Sequence, residues 1–334
     1  MGQALTAAIL GVGSYAPEKR LTNQDFEKFL ETTDEWITSR TGIKARHIAA
    51  PGENTSDLCL KAAQRALEDA GMQARELDLI IVGTVTPDYQ MPSTGCMLQE
   101  KLGLAAASIP AVDVNAACSG FMYALSMAKA YVESGMAKRV LIVGAEVLSR
   151  VLDYQDRSTC ILFGDGAGAA IIGPHTGGAK SHALREVTLG ADGRGGPHII
   201  IPGGGTAQPT TASTVADKLH CVRMEGREVF RFAVLKFVEL IDDLLKRHKL
   251  SVDQVGKIVP HQANYRILEA ACERLSTPMS LFVRNLDEYG NTSAASVPLA
   301  FDEAYRKGEL PAGKPILLVG FGAGLTWGSA VIDW

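Results

Sequence analysis

Short runs of aliphatic and β-branched residues alternate along the chain with longer segments whose apolar positions recur every three or four residues. These are the two periods that separate strands from helices. The helical period covers 23–40, 57–70, 120–134, 229–248 and 265–275. The runs 78–82, 140–143, 168–172, 257–259 and 316–319 are too short for helices and have no polar face, as expected of strands covered on both sides. The stretch 315–332 is uncharged and long enough to be weighed as a membrane helix. Gly320, Gly322, Gly324 and Gly328 interrupt it, so it reads instead as two buried strands around a tight turn.

The elements recur in order. Helix 57–70 leads to strand 77–82 as helix 229–248 leads to 255–259, and Arg139-Val140-Leu141-Ile142-Val143-Gly144 matches Pro315-Ile316-Leu317-Leu318-Val319-Gly320. Before each of the latter comes a polar turn, Asn115-Ala116-Ala117-Cys118-Ser119-Gly120 in one half and Tyr289-Gly290-Asn291-Thr292-Ser293 in the other. This order predicts an α/β chain of two duplicated halves, 1–175 and 176–334, although unrelated α/β stretches look alike at this level. Duplication would place Cys118 and Asn291 in equivalent positions across a pseudo-twofold axis. Segment 176–217, rich in Gly, Thr and Pro, reads as long connecting loops.

With 334 residues, 46% hydrophobic and 21% charged, the chain has material for a large core and lies outside the disordered class. A net charge of −4 supplies no global positive field, which argues against nucleic acid as a partner. The six cysteines are far apart with no CxxC pair, so neither a disulfide framework nor a metal site is expected. The opening Met1-Gly2-Gln3-Ala4-Leu5 has no basic leader, and a cytoplasmic protein without a membrane span is expected.

Cys118 follows the strand-like run 109–114 and precedes a helix beginning near Ser119-Gly120. The positive end of a helix favours a thiolate there. A lone cysteine is more often a small buried hydrophobe, and the other five are read that way. His261 opens His261-Gln262-Ala263-Asn264 at the end of strand 257–259, where ligands bind in open α/β sheets. A histidine that only helps to cap the next helix fits equally well. Asn291 by itself reads as a turn residue or as a cap for a helix through 294–305. Gly322-Ala323-Gly324 permits a backbone N–H aimed into a site, and Gly324 with the Cys118 amide would form an oxyanion hole.

These segments, together with Phe163-Gly164-Asp165-Gly166-Ala167-Gly168, Asp34-Glu35-Trp36-Ile37, Arg40-Thr41-Gly42-Ile43 and 320–329, closely resemble β-ketoacyl-acyl-carrier-protein synthase III. That family comprises the initiating condensing enzymes of type II fatty acid synthesis, and the likeness runs unbroken from residue 8 to 334. The resemblance implies a thiolase-like five-layered αβαβα fold and a homodimer. It implies that Cys118 accepts an acyl group from coenzyme A, and that His261 and Asn291 stabilise the enolate formed when malonyl-acyl carrier protein loses carbon dioxide. No cofactor is implied beyond the coenzyme A thioester, which is a substrate. Trp36, Arg40 and Arg157 would hold coenzyme A, with the adenine between Trp36 and Arg157, and Phe230 and Asn264 would line the pantetheine tunnel. Met91 and Phe321 would bound the acyl pocket, and Arg231 and Arg266 would dock acidic carrier protein.

Two positions depart from the better-known enteric members. Met91 stands where those have a phenylalanine that closes the pocket across the dimer interface, and Glu273-Arg274 replaces a basic pair. Met adapts its shape more readily than phenylalanine, which predicts a pocket open to more than acetyl. The alternatives are a relative that primes polyketide or other acyl chains, an acyltransferase on the same fold, and a non-catalytic thioester-binding protein. A degradative thiolase would need a second cysteine within 320–328, where there is none.

Overall fold

Every residue of the strand Val140–Glu146 is buried, and successive side chains enter different cores. Val140 and Ile142 face one core, and Leu141, Val143 and Ala145 the other. A strand covered on both faces must read this way. The computed structural model describes residues 5–334, so most of the opening segment from which the absence of a leader was read lies outside the described residues.

Among the described residues the main sheet has nine strands. They are β1 (Ala7–Tyr15), β2 (Leu79–Gly83), β3 (Ala111–Val114), β4 (Val140–Glu146), β5 (Gly166–Pro174), β6 (His182–Ala191), β7 (Lys257–Pro260), β8 (Pro315–Gly322) and β9 (Thr326–Asp333). Their spatial order is β7-β8-β9-β6-β1-β5-β4-β2-β3. Each half of that order has the same logic. In the first, β1–β5 and β5–β4 are antiparallel while β4–β2 and β2–β3 are parallel. In the second, β6–β9 and β9–β8 are antiparallel and β8–β7 is parallel.

Helices complete five layers. The longer ones are α1 (Asp34–Thr41), α2 (Thr55–Ala70), α3 (Gly120–Glu133), α4 (Gly226–His248), α5 (Tyr265–Leu275) and α6 (Ser296–Arg306). Helix α2 covers the outer face of the first half-sheet, and α4, with α5 packed on it, covers that of the second. Helices α3 and α6 touch strands of both halves and form the middle layer. The buried central cluster accordingly draws Phe121, Leu125, Val297 and Phe301 from these helices, with Ile142 and Leu318 from the two half-sheets.

The 315–332 stretch is the antiparallel pair β8 and β9, with Gly322 opposite Thr326. No helix among the described residues is long and apolar enough to cross a membrane. The structure corrects three expectations. The 23–40 helix is broken into Asn23–Phe26 and α1, because the Thr33 hydroxyl accepts from the Trp36 N–H at 3.1 Å and caps a new helix. Segment 176–217 is more than loops, since it contains β6, which joins β1 of one half to β9 of the other. The third concerns the repeat. Ala117 (φ 46°) and Ser293 (φ 49°) each begin a short 3-10 turn in the left-handed region, just before α3 and α6. Matching these turns pairs Cys118 with Ala294, so Asn291 corresponds to Asn115 rather than to the cysteine.

Candidate active site

Cys118 lies on the turn Ala117–Ser119 at the end of β3, ahead of α3. The turn is tied to the β8–β9 connection. Ser119 Oγ–H donates to Thr326 Oγ1 at 2.7 Å, and the Thr326 hydroxyl reaches the Ala116 and Ala323 carbonyls at 2.9 and 2.8 Å. The connection comes very close to the thiol: a Cβ on Gly322 would lie 2.6 Å from the Cys118 nitrogen. Gly324 has φ 133°, a conformation that only glycine adopts without strain, and two Leu325–Asp192 backbone bonds of 2.8 Å fix the neighbouring residue.

The thiol is buried, and that changes its expected state. Burial pushes its pKa up to about 12, with the Glu146 charge acting in the same direction and a hydrogen bond with Ser293 opposing. The helix end therefore does not produce a standing thiolate. Cys96 is the exposed cysteine. Brief iodoacetamide treatment at neutral pH is expected to mark Cys96 ahead of Cys118, as peptide mapping would show; faster labelling of Cys118 would restore the activated-thiol reading.

His261 follows β7, and its N–H donates to Val319 O at 2.7 Å, locking the strand end to β8. Its ring is buried, meets the Phe321 ring edge-on at 5.3 Å, and bonds through Nδ1 to Ser296 Oγ at 2.5 Å. Burial lowers its pKa to about 3, so the imidazole is neutral at ordinary pH. Asn291 is held by its backbone, which accepts from Gly164 N at 3.0 Å and donates to Leu162 O at 2.8 Å. The Phe163-Gly164 motif thus forms the shelf for Asn291, and a Cβ on Gly164 would strike Tyr289 O at 2.4 Å. Asn291 Oδ1 accepts from Ser293 N at 2.8 Å, which leaves the Nδ2 hydrogens to face the site.

Cys118, His261, Asn291 and Phe321 line one cleft of about 570 Å³, together with Trp36, Arg40, Phe230, Asn264 and Arg266. The Trp36 ring has the Arg40 guanidinium at 4.7 Å and that of Arg157 at 4.4 Å. Arg157 is also held by the Glu31 carbonyl, and its contact with Trp36 leaves no gap for a base between the two side chains in this structure. Asn264 caps α5, accepting from Arg266 N at 2.9 Å, and its Nδ2 donates to Arg40 O at 3.2 Å. Arg231 is exposed and paired with Glu228 at 2.7 Å, outside the residues that line the cleft.

A second cavity of about 570 Å³ also opens onto Cys118, bounded by Val85, Leu148, Phe163, Ile199, Val222 and Gly324 among others. Phe321 is on the first cleft and not on this one, and Met91 is on neither, its side chain standing 86% exposed. Sequence reasoning missed Ser293 and Ser296, which bond Asn291 and His261, and Glu146, which accepts from the Ser293 hydroxyl. The serines pass for helix caps. Glu146 left a signal, as a carboxylate ending an otherwise apolar strand.

The family model described as 3-oxoacyl-[acyl-carrier-protein (ACP)] synthase III matches residues 112–193, and that of its C-terminal part matches 245–334. The chain is 51% identical over 334 residues to the β-ketoacyl-[acyl-carrier-protein] synthase III of Caldanaerobacter subterraneus subsp. tengcongensis, covering 100% of this chain and 99% of the relative. The crystal structure of 3-oxoacyl-[acyl-carrier-protein] synthase III from Aquifex aeolicus VF5 superposes with a TM-score of 0.88 at 40% identity, covering 98% and 100% of the two chains. The priming β-ketosynthase of the R1128 polyketide pathway gives 0.88 at 36% identity, covering 99% and 97%. With a thiolase-type arrangement of layers and a relative this similar along its whole length, the chain belongs to the β-ketoacyl-acyl-carrier-protein synthase III family.

Proposed function

We propose that the protein condenses an acyl-CoA primer with malonyl-acyl carrier protein, through an acyl-Cys118 intermediate, to give 3-oxoacyl-acyl carrier protein, carbon dioxide and coenzyme A. This is the step that initiates type II fatty acid synthesis. The observation that carries the reading is the convergence of Cys118, His261 and Asn291, from both halves of the chain, on one cleft. Decarboxylation places negative charge on a thioester oxygen, and fixed neutral donors in a dry site stabilise that charge without reorganising. Asn291 Nδ2 supplies one donor. Ser296 donating to His261 Nδ1 leaves Nε2–H as the second. The Cys118 and Gly324 amides are assigned to the oxyanions of acyl transfer, and coenzyme A enters only as substrate.

Trp36, Arg40 and Arg157 are assigned to the nucleotide end of coenzyme A, a planar cationic and aromatic set suited to a base. Phe230 and Asn264 are assigned to its pantetheine arm. Arg266, at the cleft mouth, and Arg231 are assigned to carrier-protein docking, with Arg231 weakened by Glu228. Six free cysteines suit a reducing, cytoplasmic setting.

The protein is proposed to act as a homodimer in which Met91 closes the second cavity of the partner subunit, consistent with a large apolar side chain lying open in the single chain. Met91→Phe is expected to lower kcat/KM for primers longer than acetyl and to spare acetyl; equal losses at every chain length would assign Met91 to packing alone. The roomy second cavity and the likeness to a polyketide priming synthase favour, as second reading, a primer other than acetyl for a specialised pathway. Intact-protein mass after exposure to a panel of acyl-CoAs decides, because the mass gained on Cys118 identifies the primer. No gain with any thioester would refute both readings.

A further inference from the structure

Acylation must remove a proton from a buried thiol, and the obvious base is unsuited to it. Burial makes the His261 imidazole a weak base, and with Ser296 donating to Nδ1 the ring presents Nε2–H to the site, with no free lone pair. Glu146, at the end of β4, is the other ionisable group at the site. Its side chain is fully buried, and no cation is paired with it among the described residues. Oε2 accepts from Thr86 Oγ1 at 2.6 Å and from the Val85 and Thr86 N–H groups at 3.1 Å, and lies 3.2 Å from Thr84 Oγ1. Oε1 accepts from the Ser293 hydroxyl at 3.0 Å and, at 3.3 Å, shares the Val85 N–H. Ser293 opens the turn that packs against the Cys118 turn, its hydroxyl lies close enough to the thiol to bear on its charge, and it is held at φ 49°, outside the region that serine prefers. Both residues line the second cavity.

We propose that Ser293 relays the Cys118 proton to Glu146, which stores it through the acyl-enzyme stage. The inference rests on the condensing reaction proposed above. As the thiol sulfur bonds the acyl carbon, its proton passes to Ser293 Oγ while the Ser293 proton passes to Glu146 Oε1. The carbon–sulfur bond to coenzyme A breaks, and coenzyme A leaves as a thiolate that takes a proton from solvent. The acyl-enzyme then carries a neutral Glu146, so the malonyl carboxylate and the enolate meet no like charge from it. When condensation expels the Cys118 thiolate, Glu146 returns its proton by the same path. Acylation converts carboxylate and thiol into carboxylic acid, thioester and coenzyme A thiolate; condensation converts the malonyl carboxylate into carbon dioxide and restores the Glu146 carboxylate.

Burial raises the pKa of Glu146 to about 7, against the hydrogen bonds that it accepts. Its charge acts on Cys118 in the turn ahead of α3 and on Cys59 in α2, and Cys59 also feels Asp88, Asp113 and Lys101. Beside its β5 partner Gly166 lies Asp165, engaged with Ser149 and Ala49. Because only the ionised form accepts the proton, wild-type acylation should rise with pH through about 7.

The test is the single-turnover rate of acyl-enzyme formation across pH. Ser293→Ala should slow it about 10²-fold, the lower range for positioned proton transfer. Glu146→Gln should slow it similarly and flatten the rise near neutrality, which a purely structural defect would not do. Wild-type rates in Ser293→Ala, or a wild-type profile in Glu146→Gln, would overturn the relay. Should Glu146→Gln not fold, infrared difference spectra of the wild type at pH 8 decide: acylation should add a carboxylic acid band that shifts with ¹³C-glutamate labelling, and no such band overturns the proposal. A wild type that takes up no acyl group would sink the condensing reading itself, and this inference with it.

Discussion

Replacing Asn291 with Ala is expected to leave much of the acylation of Cys118 intact while decarboxylation and condensation fall about 10²-fold or more, the scale of losing one oxyanion donor. The division follows from position. In the proposed mechanism, attack on the primer uses the Cys118 turn and the Gly324 connection, whereas Asn291 offers Nδ2, its Oδ1 being already engaged by Ser293 N. Stopped-flow release of coenzyme A measures the first half-reaction and carbon dioxide release the second. Because Asn291 is also tied to the Phe163-Gly164 shelf through its backbone, the alanine variant should keep that tie. Acylation falling as far as condensation, in a folded variant, would make Asn291 a support for the turn and not an enolate donor.

Gly322→Ala should slow both half-reactions together, by about 10²-fold. The added Cβ would sit 2.6 Å from the Cys118 nitrogen and 3.1 Å from its Cβ, and neither the backbone of the catalytic turn nor that of β8 can yield cheaply. Overpacking of this kind costs about 1–3 kcal/mol in stability. A displacement of the nucleophile near 1 Å costs about 10²-fold in rate. The contrast with Asn291→Ala is the useful part, since one variant should separate the half-reactions and the other should not. Gly322→Ala with wild-type acylation would mean that the turn has slack that its contacts do not show.

The sequence made most of the buried framework legible, for a physical reason. In β4 and β8 both faces are covered, so apolar residues run without interruption and no other element explains them at that length. β6 was missed because only Leu184 of its ten residues is buried. Its place in the seam between the halves comes from backbone pairing, which leaves little trace in side-chain pattern. The break in 23–40 was similarly hidden, since Phe29 and Leu30 keep the helical period across a gap that the Thr33 cap decides. Three-dimensional packing also shifted the repeat by three residues, because the matching feature is a pair of left-handed backbone positions and not a pair of polar side chains.

At the site, local context pointed to Cys118 and His261, Asn291 read as a turn residue until the family resemblance gave it a role, and the fold brings all three to one cleft. What could not be read was the state of the thiol. A helix N-terminus is visible in sequence, but the burial that opposes it is a property of the assembled layers. Glu146 shows the same limit, because a strand-ending carboxylate becomes informative only once Ser293 is seen between it and Cys118.

The most direct test of the condensing mechanism is a chase of isolated acyl-enzyme with malonyl-acyl carrier protein. The expected result is one carbon dioxide released and one 3-oxoacyl-acyl carrier protein formed, two carbons longer than the primer, for each acyl group lost from Cys118. Transfer of the acyl group unchanged to the carrier or to water, with no carbon dioxide released, would contradict it.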